Sequence, residues 1–168
     1  MNQKKIGQKR GQKFDFSAIR TYVHSNLCPS TDFYDVNGKK VKAAGGNCVT
    51  YNMIYLIMCK KCRKCYIGRS IKWLGSRMNE HHDNFGKLLK PGCKIDPLDD
   101  EFSLGIHLME HGCKNKSDFD ENFTVSIVSR CSPKDLAYTE NKFIHTLKTL
   151  RPNGLNVSNP FALPVFYE

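Results

Sequence analysis

Tyr51 to Ser70 reads YNMIYLIMCKKCRKCYIGRS, and its interpretation decides the fold. Ile54-Tyr55-Leu56-Ile57-Met58 is apolar at successive positions, the pattern of a strand covered on both faces. Cys65-Tyr66-Ile67-Gly68 predicts a second strand, and so short a connection requires an antiparallel hairpin. Such a turn ordinarily carries Asn-Gly or Asp-Gly. This one carries Cys59, Cys62 and Cys65, interleaved with Lys60, Lys61, Arg63 and Lys64.

Outward from the hairpin, Ser70 predicts an N-cap and Ile71 to about Leu89 a helix, with Leu74, Met78, Phe85 and Leu88 or Leu89 as its apolar stripe. Pro91-Gly92 ends it. After a loop over 92–98, Asp99 or Asp100 predicts the cap of a second helix running to His111, with Gly112 at C′. Phe123 to Val128 alternates as a third strand with one polar-leaning face. Ser132-Pro133-Lys134-Asp135 opens a final helix to about Leu150. The order β-β-α-α-β-α describes a small α/β domain of α+β type: a central antiparallel sheet flanked by helices. It occupies about 48–160. Residues 1–13 read as a disordered basic tail, 14–47 as a loosely structured N-terminal extension, and 161–168 as a C-terminal tail.

The 168 residues are 40% apolar, enough for a core. No apolar run approaches the roughly 18 residues needed to cross a bilayer. The N-terminus MNQKKIGQKRGQKF has no signal-peptide pattern, so a soluble protein in a reducing compartment is expected. There, clustered Cys at x2 spacing points to metal rather than to disulfides. The net charge is +10. Between Asp35 and Glu80 there is no acidic residue, while ten basic ones lie there, which predicts a polyanionic partner.

On the final helix, Leu136, Phe143, Ile144 and Leu147 share an apolar stripe with Glu140 in its midst. A carboxylate so placed needs a cation: either a metal, or an Arg or Lys at the stripe's edge. Tyr55 and Tyr66 lie on adjacent strands with phenols able to share a face. Arg77 and His81 follow four apart on one helix face. Arg suits a phosphate, and Tyr and His can move a proton to or from water. A core or surface role fits any one of these residues alone; the set together suits a phosphodiester site.

The pattern Ile54-Tyr55, Tyr66-Ile67-Gly68, Leu74-x-x-Arg77-x-x-x-His81, Glu140 and Gly154-Leu155-Asn156 resembles the GIY-YIG nuclease family, over about Asn52 to Asn156. Within it the chain is most similar to the endonuclease domain of Penelope-like retroelements, which carry a C-x-x-C pair ahead of the second Tyr motif and a downstream pair of histidines. Cys59-x-x-Cys62 and His107-x-x-x-His111 match these. The chain departs from the pattern at Met53, which stands where the family has its first glycine, and at Arg69-Ser70.

The resemblance implies hydrolysis of a DNA strand with one Mg²⁺ or Mn²⁺ held by Glu140. It implies Tyr55 as general base with help from His81, Arg77 on the scissile phosphate, Tyr66 positioning phosphate or water, and Asn156 in support. The products would be a 5′-phosphate and a 3′-hydroxyl, for target-primed integration of a retroelement in the nucleus. Double-stranded DNA would be the partner, with a reverse transcriptase domain on the parent polyprotein, and neither membrane nor small-molecule ligand is expected. Lys60, Lys61, Arg63, Lys64, Arg69 and Lys72 are the expected DNA contacts. Two other functions stand beside this: a GIY-YIG nuclease of repair, recombination or homing, and a non-catalytic zinc module that only binds nucleic acid.

A C-x2-C pair with an H-x3-H pair supplies the four ligands of a structural Zn²⁺. Cys59, Cys62, His107 and His111 form one such set, giving a zinc-clamped hairpin. Cys62-x2-Cys65 has the same spacing, and Cys113 is a substitute ligand. Cys65 directly precedes Tyr66 in a strand and so points to the opposite face, where packing suits it. Cys28 and Cys48 read as free thiols, and His82 as solvated.

Overall fold

Every residue of the Met53–Ile57 run is buried because its strand is the middle one of a sheet covered on both faces. The computed structural model describes residues 32–34 and 40–157. The expected tails at 1–13 and 161–168 and most of the 14–47 extension lie outside the described residues. Strands β1 (Asp32–Tyr34) and β2 (Lys40–Lys42) pair antiparallel within that extension. Strands β3 (Met53–Cys59), β4 (Cys65–Ser70) and β5 (Phe123–Arg130) form an antiparallel sheet in the order β4-β3-β5.

Alternation along β3 sends its side chains to two cores. Met53, Tyr55, Ile57 and Cys59 face helices α1 (Leu74–Leu88) and α2 (Ser103–Glu110), packing with Leu74, Met78, Phe85, Leu104 and Leu108. Ile54 and Leu56 face α4 (Leu136–Thr146), packing with Leu136, Ile144 and Leu147. Short helix α3 (Asp118–Asn122), which the sequence pattern did not predict, delivers the fully buried Phe119 to the first core. The sheet is therefore the middle of three layers. That is why the polar-leaning face of β5 is covered: Ser126 is buried beneath one of the layers.

Other boundaries differ for local reasons. Ser70 ends β4 instead of capping α1. Its hydroxyl forms a tight turn with Lys72, accepting from the Lys72 amide at 3.0 Å. Helix α1 starts at Leu74, and its free N–H groups at Leu74 and Gly75 are satisfied by the carbonyls of Thr50 and Cys48, both at 2.9 Å. Asp99 caps a 3-10 turn (Asp100–Phe102) that leads into α2, with its carboxylate accepting from the Glu101 amide. The final helix opens with a 3-10 turn over Pro133–Asp135 and stops at Thr146, short of Leu150. Lys148 takes a positive φ of 51°, and the chain returns so that Leu150 bridges Asn156. Among the described residues, no helix is long and apolar enough to cross a membrane.

Candidate active site and metal centre

The Tyr55 side chain rises from the central strand and lies across Gly68 of β4, its partner in the register. A Cβ at Gly68 would collide with the Tyr55 phenol, so a glycine is needed there. The ring is fully buried with its hydroxyl gripped from two sides. Arg77 donates its Nε–H to Tyr55 Oη at 3.0 Å, and His81 Nε2 lies 2.8 Å from the same oxygen. Arg77 and His81 are four apart on α1, one turn, which is what brings both to one phenol. Burial holds the Tyr55 hydroxyl up at about 12 although Arg77 pulls it down. Burial, and then Arg77, lowers His81 to about 3, so the imidazole is neutral and its free Nε2 can accept a hydrogen bond from the phenol.

Tyr66 shares the pocket, its ring centroid 6.5 Å from Tyr55 and 5.7 Å from His81. Burial is the first cause that lifts its hydroxyl well above the ordinary range. Arg77 also holds Glu80 through Nη1 at 2.7 Å, and Glu80 pairs with Lys72 at 2.5 Å. Burial opposes its ionisation, but these two cations win and keep the Glu80 carboxyl low.

Glu140 projects from α4 and is 8% exposed. Arg69 of β4 lies 3.4 Å from its carboxylate, so Arg69 is a partner of Glu140 as well as an expected DNA contact. Burial pushes the Glu140 carboxyl up to about 7; Arg69 opposes this and the Asp100 charge adds to it. Both readings of the stripe therefore meet in one residue: the carboxylate has an arginine at its edge yet remains short of positive charge. A cavity of about 470 Å³ is lined by Arg69, Lys72, Arg77 and Glu80 and by Leu136 and Ala137, one turn before Glu140 on α4. Asn156 closes the open edge of β4. Its amide accepts from Ile67 N–H at 2.9 Å and donates to Ile67 C=O at 2.8 Å, as a neighbouring strand would.

At the other end of the hairpin, Cys59, Cys62, His107 and His111 bring one ligand atom each within 4.8 Å of one another, a set that could hold a metal ion. Arg63 takes φ 66°, which lets the turn double back. Burial would raise the Cys59 thiol, but His107 and the backbone N–H groups of Cys62 and Lys61 overcome it and lower it to about 7, favouring a thiolate. His107 Nε2 sits 3.3 Å from Cys62 Sγ, while its Nδ1 lies 3.6 Å from the exposed Glu110 carboxylate. Cys65 and Cys113 stay outside the cluster. Cys65 packs on the α4 face, and burial pushes it up to about 11. Cys113 is buried in the first core.

Several expected placements change. His82 is not solvated but buried edge-on against Phe119. Lys60 turns back to the carbonyls of Asp120 and Glu121 at the end of α3. Lys72 is held by Glu80. Lys61 and Arg63 are exposed at the hairpin tip, and Lys64 is half-buried. Sequence reasoning missed Glu80 and Asp100. Glu80 was signalled by its place three after Arg77 on a helix. Asp100 was signalled as the second of two acids where one suffices as a cap.

The family profile of the GIY-YIG catalytic domain matches residues 51–156, well over half of the chain. No curated protein and no solved structure matches it.

Proposed function

Because the chain belongs to the GIY-YIG family, a family of nucleases acting on DNA, we propose that it is a metal-dependent endonuclease that nicks one DNA strand and leaves a 5′-phosphate and a 3′-hydroxyl. One observation carries this reading. Arg77 and His81 meet at a single phenol, within 3.0 Å, and Arg77 lines a cavity together with Arg69, the ion-pair partner of the buried Glu140.

Glu140 fits a divalent cation, Mg²⁺ or Mn²⁺, because its buried carboxylate is incompletely neutralised by Arg69. When bound, that ion would stabilise charge on the cleaved phosphate and its leaving oxygen. The side chains do the rest. Tyr55 Oη takes a proton from the attacking water as its own proton passes to His81 Nε2. Arg77 keeps its Nε on Tyr55 and turns its outer nitrogens, now on Glu80, to the scissile phosphate. Burial of Tyr55 and His81 keeps bulk water from short-circuiting the transfer. Tyr66 positions phosphate or water, and Asn156 fixes the strand that carries it.

The Cys59, Cys62, His107 and His111 set fits Zn²⁺. Two sulfurs and two imidazole nitrogens suit that ion, and with all four atoms within 4.8 Å of one another a bound zinc would need to draw them in only slightly, to the roughly 3.3–3.8 Å edges of its tetrahedron. Four residues at about 3.3 Å rise separate Cys59 from Tyr55, placing the centre roughly 13 Å from the chemistry, so its role is structural. The same four residues support a retroelement nuclease, whose 3′-hydroxyl would prime a reverse transcriptase on nuclear DNA. The test is supercoiled plasmid with Mg²⁺. Conversion to open circles that DNA ligase reseals without other treatment supports the reading. Open circles that ligase cannot reseal refute the assigned ends, and no conversion refutes the nuclease.

A further inference from the structure

We propose that Asp100 is a positioning residue of the nuclease, and that its bond to Tyr66 makes Tyr66 an acceptor for the attacking water rather than a donor to the phosphate. This rests on the nuclease reading above and decides a role that reading leaves open.

Tyr66 Oη donates to Asp100 Oδ2 at 2.8 Å. A phenol has one proton, and an ionised carboxylate can only accept. The Tyr66 proton is therefore committed, and what the hydroxyl offers the cleft is lone pairs. Phosphate oxygens on a scissile diester also only accept, so Tyr66 cannot bridge to them. Water can donate to it. Tyr55 is held in the same sense: its oxygen accepts from Arg77 Nε and its proton faces His81 Nε2. Both phenols thus offer only lone pairs to a water between them.

The carboxylate is fixed at both ends. Asp100 Oδ1 accepts from the Val157 amide at 2.9 Å. The next residue back, Asn156, pins Ile67, the neighbour of Tyr66 on β4. Tyr66, Asp100, Val157 and Asn156 so form a closed ring of contacts around the strand end. Asp100 is not needed as a helix cap, because Asp99 does that work. It stands near Glu140 and adds to the burden on that carboxyl. A negative charge kept there despite that cost is explained by the tyrosine it orients.

Asp100→Asn preserves shape but cannot accept from both Tyr66 and Val157. Single-turnover cleavage by Asp100→Asn is expected to fall on the order of 10- to 100-fold, the usual effect of losing such an outer partner, with DNA affinity unchanged. In a Tyr66→Phe background the same substitution should change the rate less than about twofold, since the hydroxyl it acts on is gone. Asp99→Asn should leave the rate intact. In the wild-type protein, the Tyr66 ¹³Cζ resonance, assigned by its loss in Tyr66→Phe, should be deshielded as in a donating phenol. An unshifted resonance overturns the proposal without reference to activity or to the folding of any Asp100 variant. So does an undiminished rate in Asp100→Asn, or an equal loss in both backgrounds. A wild-type protein that cleaves nothing removes the nuclease reading, and this proposal with it.

Discussion

Glu140→Gln should make the protein more stable at alkaline pH while abolishing cleavage. The Glu140 carboxyl is raised from 4.5 to about 7, by burial first, with Arg69 opposing. A tenfold change in proton affinity corresponds to about 1.4 kcal/mol, so above pH 7 the ionised side chain costs the fold about 3 kcal/mol. The sign follows from the folded value lying above the unfolded one. The contribution is fully present below about pH 4.5 and is lost as the pH rises through 7. The amide never ionises and escapes this cost, and the Arg69 contact is already contained in the net shift. The expectation is a gain of about 3 kcal/mol at pH 8.5 and a difference near zero at pH 4.5. Urea unfolding at the two pH values, with no divalent ion added, measures it. Adding Mg²⁺ at pH 8.5 should then stabilise the wild type and not Glu140→Gln. Glu140→Gln less stable than wild type at pH 8.5, or a difference independent of pH, would refute the reasoning.

His81 has a folded value of about 3 against 6.5 unfolded, set by burial and then Arg77, so its contribution is intact above pH 6.5 and lost as the pH falls toward 3. Stability of wild type relative to His81→Gln should therefore drop by up to about 1.4 kcal/mol for each tenfold rise in proton concentration across that window, read by denaturant unfolding; parallel curves would sink the idea. Gly68→Ala puts a Cβ into the Tyr55 phenol and should lower the cleavage rate on the order of 100-fold while the protein stays folded, checked by single-turnover kinetics and circular dichroism. Protein purified without chelator should carry about one zinc per chain by elemental analysis. Cys62→Ser should lose it and melt at lower temperature, and metal-free wild type of unchanged melting temperature would contradict the clamp.

The hairpin was legible because the Met53–Ile57 run and the Cys spacing are both local signals. Tyr55, Arg77 and His81 followed because their meeting needs only strand alternation and one helical turn. The C-x2-C and H-x3-H pairs named the four residues that now cluster, although 45 positions separate Cys62 from His107. What was not legible depends on partners distant in sequence. Ser70 looked like a cap, yet Thr50 and Cys48 satisfy the helix start from another loop. Lys60 and Lys72, read as DNA contacts, also have partners within the protein, a helix terminus and Glu80. The polar-leaning face of β5 is covered because helices lie on both sides of the sheet. Helix α3, Asp118–Asn122, is too short to show a period.

The central claim is that cleavage, and not merely binding, takes place at the Tyr55, Arg77, His81 and Glu140 site. Single-turnover cleavage of a labelled duplex at saturating protein, with binding measured alongside, tests it most directly. Wild type should cut with Mg²⁺ and not without it, and Glu140→Ala should bind the duplex as tightly as wild type and leave it whole. Equal cutting by Glu140→Ala, or binding without any cutting by wild type, would contradict the account.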